Sequence, residues 1–292
     1  MYLYQPEYIL NYWVYFFEGL FKMVDLEARC PSGITGLDGL LNGGFPRSRS
    51  ILVSGTCGTG KSTFGAQFVA NGIREFGENG ILVSLEQDPR EMKADMLQFG
   101  FDLQKFEDEG KLVIIDASLS RMGLKPKKEK MSYQSPQFAQ VPGSISLLPD
   151  EFNMEMLLEI VVSKAKRIDA RRVVVDSLPA LDFLLKEANN DIKQSLRETL
   201  LAMNYRLKME GLTTLLITEM AEQGEAISAH GIESYVVDGV IILYYISIGT
   251  EAGRSLIVRK MRATKHSEDV HPIRFEEGTG IRVLRAEDAY NI

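Results

Sequence analysis

The sequence predicts an α/β fold with a mainly parallel central sheet, and three observations carry the prediction. A glycine-rich segment, Gly55-Thr56-Cys57-Gly58-Thr59-Gly60-Lys61-Ser62-Thr63, stands between the apolar run Ile51-Leu52-Val53 and a stretch of helical periodicity. Later short apolar runs end in Glu or Asp and alternate with helical patterns, as repeated β-α-β units do. The C-terminal part instead reads as consecutive strands, a β-rich extension of the parallel core.

The 292 residues suit one large or two modest domains, and 45% hydrophobic with 25% charged residues is an ordinary globular composition. A net charge of −7 argues against a general polyanion binder, so nucleic acid is not the expected partner. Only Cys30 and Cys57 are available for sulfur chemistry, which makes no disulfide framework and fits a reducing, cytoplasmic compartment.

Taken in order, residues 1–27 form an aromatic N-terminal extension in which Tyr8, Tyr12, Trp13, Phe16 and Phe17 crowd among Glu7, Asn11 and Glu18. It has no basic leader and no apolar run long enough to span a bilayer. The readings are an arm that packs on a neighbouring subunit or an interfacial segment, or else an upstream stretch before a true start at Met23. From Arg29 to Pro46, glycine and proline punctuate a short apolar turn whose Leu37, Leu40 and Leu41 have helical spacing.

The glycine-rich segment matches G-x-x-x-x-G-K-[ST] in the strand-loop-helix context that motif needs. Gly55, Gly58 and Gly60 allow a tight turn that aims successive N–H groups at one point, and the following helix N-terminus adds positive charge there. A phosphate chain is the natural guest, with Lys61 reaching the β- and γ-phosphates and the Ser62 hydroxyl on Mg²⁺. Cys57 is either a small residue that fits the loop or a thiol sensitised by the helix end.

Phe64, Phe68, Val69 and Ile73 continue as a helix, and Ile81 to Leu85 forms the next strand, ending at Glu86-Gln87-Asp88-Pro89. Glu86 is open to two readings, the base that deprotonates an attacking water or a cap of the helix beginning at Pro89. Leu112 to Asp116 is a third buried strand. Residues 118–150 then form a polar insertion whose run Lys125-Pro126-Lys127-Lys128-Glu129-Lys130 suits either a solvated mobile loop or a contact with a polyphosphate, a partner or nucleic acid.

Met154, Leu157, Leu158, Val161 and Val162 mark a helix leading into Arg171 to Ser177, a strand whose terminal Asp176 would hold the metal together with Ser62. A long helix over 191–210 precedes Thr213 to Glu219, where Thr218 could sense the terminal phosphate. Strands follow over 236–245, 254–262, 273–275 and 280–284. Alternation places Lys260, Arg262 and Thr264 on one face, two cations better placed for a neighbouring molecule's site than for their own.

Together, Gly36-Leu37-Asp38 through Gly43-Gly44, the phosphate loop, Ser84-Leu85-Glu86-Gln87, the strand ending Asp176-Ser177, Leu216 to Glu219, and Lys260-Met261-Arg262 with His266 resemble a single KaiC-type ATPase domain of the RecA superfamily. The similarity covers 28–284, and the C-terminal K-x-R with its following histidine is its specific part. The resemblance implies a RecA-like P-loop NTPase core that binds ATP and Mg²⁺ between subunits of a hexameric ring. It further implies Glu86 as base, with Lys260, Arg262 and His266 reaching the adjacent subunit's nucleotide. Gln87 stands where the family usually has a second acid, which implies slow turnover, and Ala263 replaces the usual glycine. The circadian clock member has two such domains and phosphorylates its own Ser-Thr pair. This chain has one domain and Ser234-Tyr235 near that place, so neither property is carried over. A slow ATPase acting as an oligomeric switch or scaffold for a protein partner is the expected function. A single-stranded DNA-binding recombinase paralogue and a non-hydrolysing nucleotide-gated platform are the alternatives.

Overall fold

The computed structural model describes residues 28–118, 140–141, 144–146, 154–181, 192–220, 227–248 and 251–285. The aromatic extension and the Lys125 to Lys130 run lie outside them.

Chain order begins with β1 (Arg29–Cys30), α1 (Leu37–Leu40) and β2 (Phe45–Pro46), then β3 (Ser50–Gly55), α2 (Lys61–Phe76) and β4 (Asn79–Ser84). Next come α3 (Pro89–Leu97), α4 (Leu103–Asp108), β5 (Leu112–Asp116), β6 (Gln140–Val141), β7 (Ser144–Ser146), α5 (Met154–Ile168) and β8 (Ala170–Asp176). The chain continues through α6 (Ile192–Met209), β9 (Thr213–Glu219), α7 (Glu233–Val236), β10 (Gly239–Ile248), β11 (Glu251–Met261), β12 (His271–Glu276) and β13 (Gly280–Val283).

Eleven strands form one sheet in the order β13-β12-β11-β10-β3-β9-β8-β4-β5-β7-β6. Pairing is parallel from β10 through β7, whereas β10 to β13 form an antiparallel meander and β6 closes the other edge antiparallel. The expected parallel core and β-rich extension are therefore parts of one continuous sheet.

The central strands read as nearly uninterrupted apolar runs because both their faces are covered, as parallel sheets require. Ile51, Val53, Leu215 and Ile217 face one core with Phe64 and Phe68 of α2, while Leu52 and Leu216 face a second core with α5 and α6. The period of two in a strand splits one run between two cores. Gly65 lets α2 lie close on the sheet, since a Cβ there would stand 2.8 Å from the Val174 Cγ1 and 2.9 Å from the Ile217 Cδ1. Asp88 accepts from the Arg90 N–H at 2.8 Å and so caps α3, with Pro89 in the first helical position.

The meander carries one irregularity with consequences for charge. Val240 pairs with Lys260 but Ile241 pairs with Val258, leaving Arg259 as an extra residue on β11. The bulge reverses which residue parity faces inward, so Met261 joins Leu256 and Val258 in the core. Lys260 is thereby kept out of that core and donates to the carbonyls of Ser234 at 3.0 Å and Val237 at 2.8 Å.

Those carbonyls belong to a turn organised by Glu233. Its carboxylate accepts from the Ser228 hydroxyl at 2.7 Å, the Ile232 N–H at 3.0 Å and the His230 N–H at 3.1 Å. Burial raises the Glu233 carboxyl, but the bonds from His230, Ser228 and the backbone prevail and hold it at about 2. A depressed carboxylate stabilises the fold above its unfolded pKa of about 4.3 and ceases to do so as pH falls towards the folded value. Glu233→Gln is accordingly expected to flatten the decline in unfolding free energy between about pH 4.5 and 2, as read by urea titrations across that range.

Candidate nucleotide-binding site

The site lies at the carboxyl ends of β3, β4, β8 and β9, where ligands of open α/β sheets sit. A cavity of about 560 Å³ is lined there by Cys57, Gly58, Gly60, Lys61, Ser62, Thr63, Glu86, Phe99, Asp176, Ser177, Glu219, Arg254 and Phe275. Gly60 has φ 100°, and a Cβ there would meet the Phe275 ring at 2.3 Å, so the loop takes this path only with glycine. Gly55 ends β3, while Thr56 and Thr59 brace the loop from within. The Thr59 hydroxyl and the Lys61 ammonium both donate to the Thr56 carbonyl, at 2.9 and 2.8 Å.

Carboxylates gather on one side of the loop. Ser62 hydrogen-bonds Asp176, and burial pushes the Asp176 carboxyl up to about 6, with Glu86 and Glu219 adding to the rise while Ser62 and Lys61 oppose it. The Glu86 carboxylate accepts from the Ser177 hydroxyl at 2.5 Å. Ser177 thus orients Glu86, and Asp88, not Glu86, provides the helix cap. Carboxyl groups beside a glycine-rich loop that leads into a helix N-terminus suit a divalent cation carrying a polyphosphate. The oxygen donors Ser62 and Asp176 fit Mg²⁺, which keeps most of its own waters and takes few protein ligands.

A model of the family described as "ATPase: KaiC" matches residues 30–288. The chain belongs to this KaiC family of ATPases. Among KaiC relatives, the circadian clock oscillator protein of Thermostichus vulcanus is 32% identical over 88% of this chain, which spans only 45% of that protein's length. The UPF0273 protein of Aeropyrum pernix is 34% identical, with 86% of this chain and 90% of the relative covered. A solved KaiC-like protein from Pyrococcus horikoshii superposes with a TM-score of 0.69 at 33% identity, over 88% of this chain and 99% of that one.

The remaining residues singled out in the KaiC resemblance lie elsewhere. Lys260 and Arg262 sit at the end of β11, which pairs with the start of β10 and so lies one strand away from the start of β3, the opposite end of the sheet from the phosphate loop. Arg262 is 54% exposed and stands 3.5 Å from Asp238, which Arg49 holds at 2.9 Å. His266 shares its Nδ1 with the Ser267 carbonyl at 2.9 Å, also outside the cavity. Thr218 is buried inside the sheet, and its neighbour Glu219 reaches the cavity instead. Gln87 turns to Asp95, donating at 2.8 Å, so it supplies nothing to the site.

Arg254, Phe99, Phe275 and Ser177 are site residues that the motifs did not mark. Only Ser177 had a local signal, its place directly after the strand-terminal aspartate.

Proposed function

We propose that this protein binds ATP with Mg²⁺ and hydrolyses it slowly, as a cytoplasmic homo-oligomer whose nucleotide state switches or scaffolds a protein partner. The convergence of Lys61, the Ser62–Asp176 pair and Glu86 on one cavity carries the reading. The loop N–H groups and Lys61 bind the β- and γ-phosphates, and Ser62 with Asp176 holds the metal. When bound, Mg²⁺ supplies charge neutralisation on the phosphate oxygens. Glu86, held by Ser177, orients a water and takes its proton as it attacks the terminal phosphorus, and ADP leaves. Gln87 offers no second carboxylate, in keeping with slow turnover.

Lys260 and Arg262, remote from their own loop and partly exposed, complete a neighbour's site in a ring, together with His266. Arg262→Ala and Glu86→Gln subunits test this by complementation. Each is expected to be nearly inactive alone, and mixing them should restore up to about a quarter of wild-type turnover by creating sites with both groups intact. Mixtures no more active than their components would count against a shared site.

A further inference from the structure

The phosphate loop is braced by the C-terminal hairpin, a contact that neither the loop motif nor the family match specifies. The Gly58 carbonyl accepts two hydrogen bonds, from the Tyr245 hydroxyl at 2.8 Å and from the Arg254 Nε at 3.1 Å. Tyr245 and Arg254 face each other directly across β10 and β11. The guanidinium lies 5.0 Å from the Tyr245 ring centroid and 4.6 Å from that of Phe275 on β12. Two aromatic faces therefore fix its plane, and its donors, at low entropic cost. Phe275 in turn touches Phe99, with ring centroids 5.8 Å apart.

Gly58 adopts φ 74°, and glycine's freedom would let the Gly58–Thr59 peptide rotate. A carbonyl with both lone pairs engaged by fixed donors holds its peptide plane in one orientation. We infer that Tyr245 and Arg254 are positioning residues, a clamp that fixes the Gly58–Thr59 peptide and with it the path of the loop into Gly60 and Lys61, which line the cavity. The clamp acts before binding, removing the ordering cost that a free glycine loop would impose on the ligand. This inference rests on the nucleotide reading of the site and adds to it a control exerted by the hairpin.

The test is binding of a fluorescent ATP analogue with Mg²⁺, read by anisotropy, for wild type, Tyr245→Phe, Arg254→Ala and the double variant. Tyr245→Phe keeps the ring on which Arg254 stacks and removes only the donor. It is expected to weaken binding about fivefold, and Arg254→Ala about tenfold. Because both act through one carbonyl, the double variant should be little weaker than Arg254→Ala, with a coupling that independent contacts lack. Nucleotide-free melting temperatures close to wild type would separate this effect from general loss of structure. Unchanged affinity in both single variants, or effects that multiply in the double, would overturn the clamp, the latter by showing that Arg254 meets the nucleotide on its own. A wild type that binds no nucleotide overturns the nucleotide reading itself, and the clamp with it.

Discussion

Glu86→Gln is expected to lower ATP turnover by about 10²- to 10⁴-fold while leaving MgATP affinity within a few-fold of wild type. The substitution keeps the shape of the side chain and its bond to the Ser177 hydroxyl, yet removes the proton acceptor. Glu86 is exposed at the cavity, with Asp176 on the adjacent strand β8, and makes no cap for α3, so its loss has no structural penalty to confuse the result. Steady-state phosphate release set beside equilibrium nucleotide binding separates the two effects. Equal turnover in the variant would remove Glu86 from the chemistry.

The largest stability effect is expected at Arg172. This side chain is fully buried, yet it is charged. Its Nε donates to Glu78 at 2.7 Å, its Nη2 lies in ion-pair contact with the same carboxylate at 2.6 Å, its Nη1 donates to the Phe68 carbonyl at 2.9 Å, and its guanidinium lies 4.6 Å from the Phe68 ring centroid. Arg47 meets the same carboxylate at 2.5 Å. Gly72 makes room for it, because a Cβ there would come within 2.4 Å of the Arg172 Cδ. Burial on its own would raise the Glu78 carboxyl, but the two arginines outweigh it and hold Glu78 below the usual range. Breaking such a pair by removing one partner costs about 3–5 kcal/mol, because the other charge stays in the interior. Arg172→Met should lose about that much in urea unfolding. Arg172→Met with Glu78→Gln should lose less than the sum of the singles, since the stranded charge is gone. A single variant within about 1 kcal/mol of wild type would mean that water or Arg47 already screens the carboxylate.

What was legible in the sequence was local. The loop's glycines, Lys61 and Ser62 declare themselves within a few residues of one another, and Asp176 is marked by the apolar run Val173-Val174-Val175 that it terminates, a run covered on both sheet faces. The remainder depended on long-range register. Arg254, Tyr245 and Phe275 reach the loop only because the antiparallel meander continues the sheet beside β3, and no spacing in the sequence gives the strand order. Alternation groups Lys260 with Arg262, but the separation of Lys260 from Leu256 and Val258 depends on the bulge at Arg259, which inserts one residue without a glycine to announce it. Thr218 and Glu219 differ by one position at a strand end, where a single step exchanges the interior for the cavity. Arg172 looked like its neighbour Arg171, and only the fold brings Glu78 to the first and solvent to the second.

The most direct measurement is titration calorimetry of the wild-type protein with ATP, in Mg²⁺ and again in EDTA, beside the same titrations of Lys61→Ala. Binding near one nucleotide per chain that weakens at least tenfold without the metal, and is lost in Lys61→Ala, is the result that the loop, the Ser62–Asp176 pair and the lysine require. Binding of equal strength in EDTA, or binding undisturbed by Lys61→Ala, would contradict the site as described.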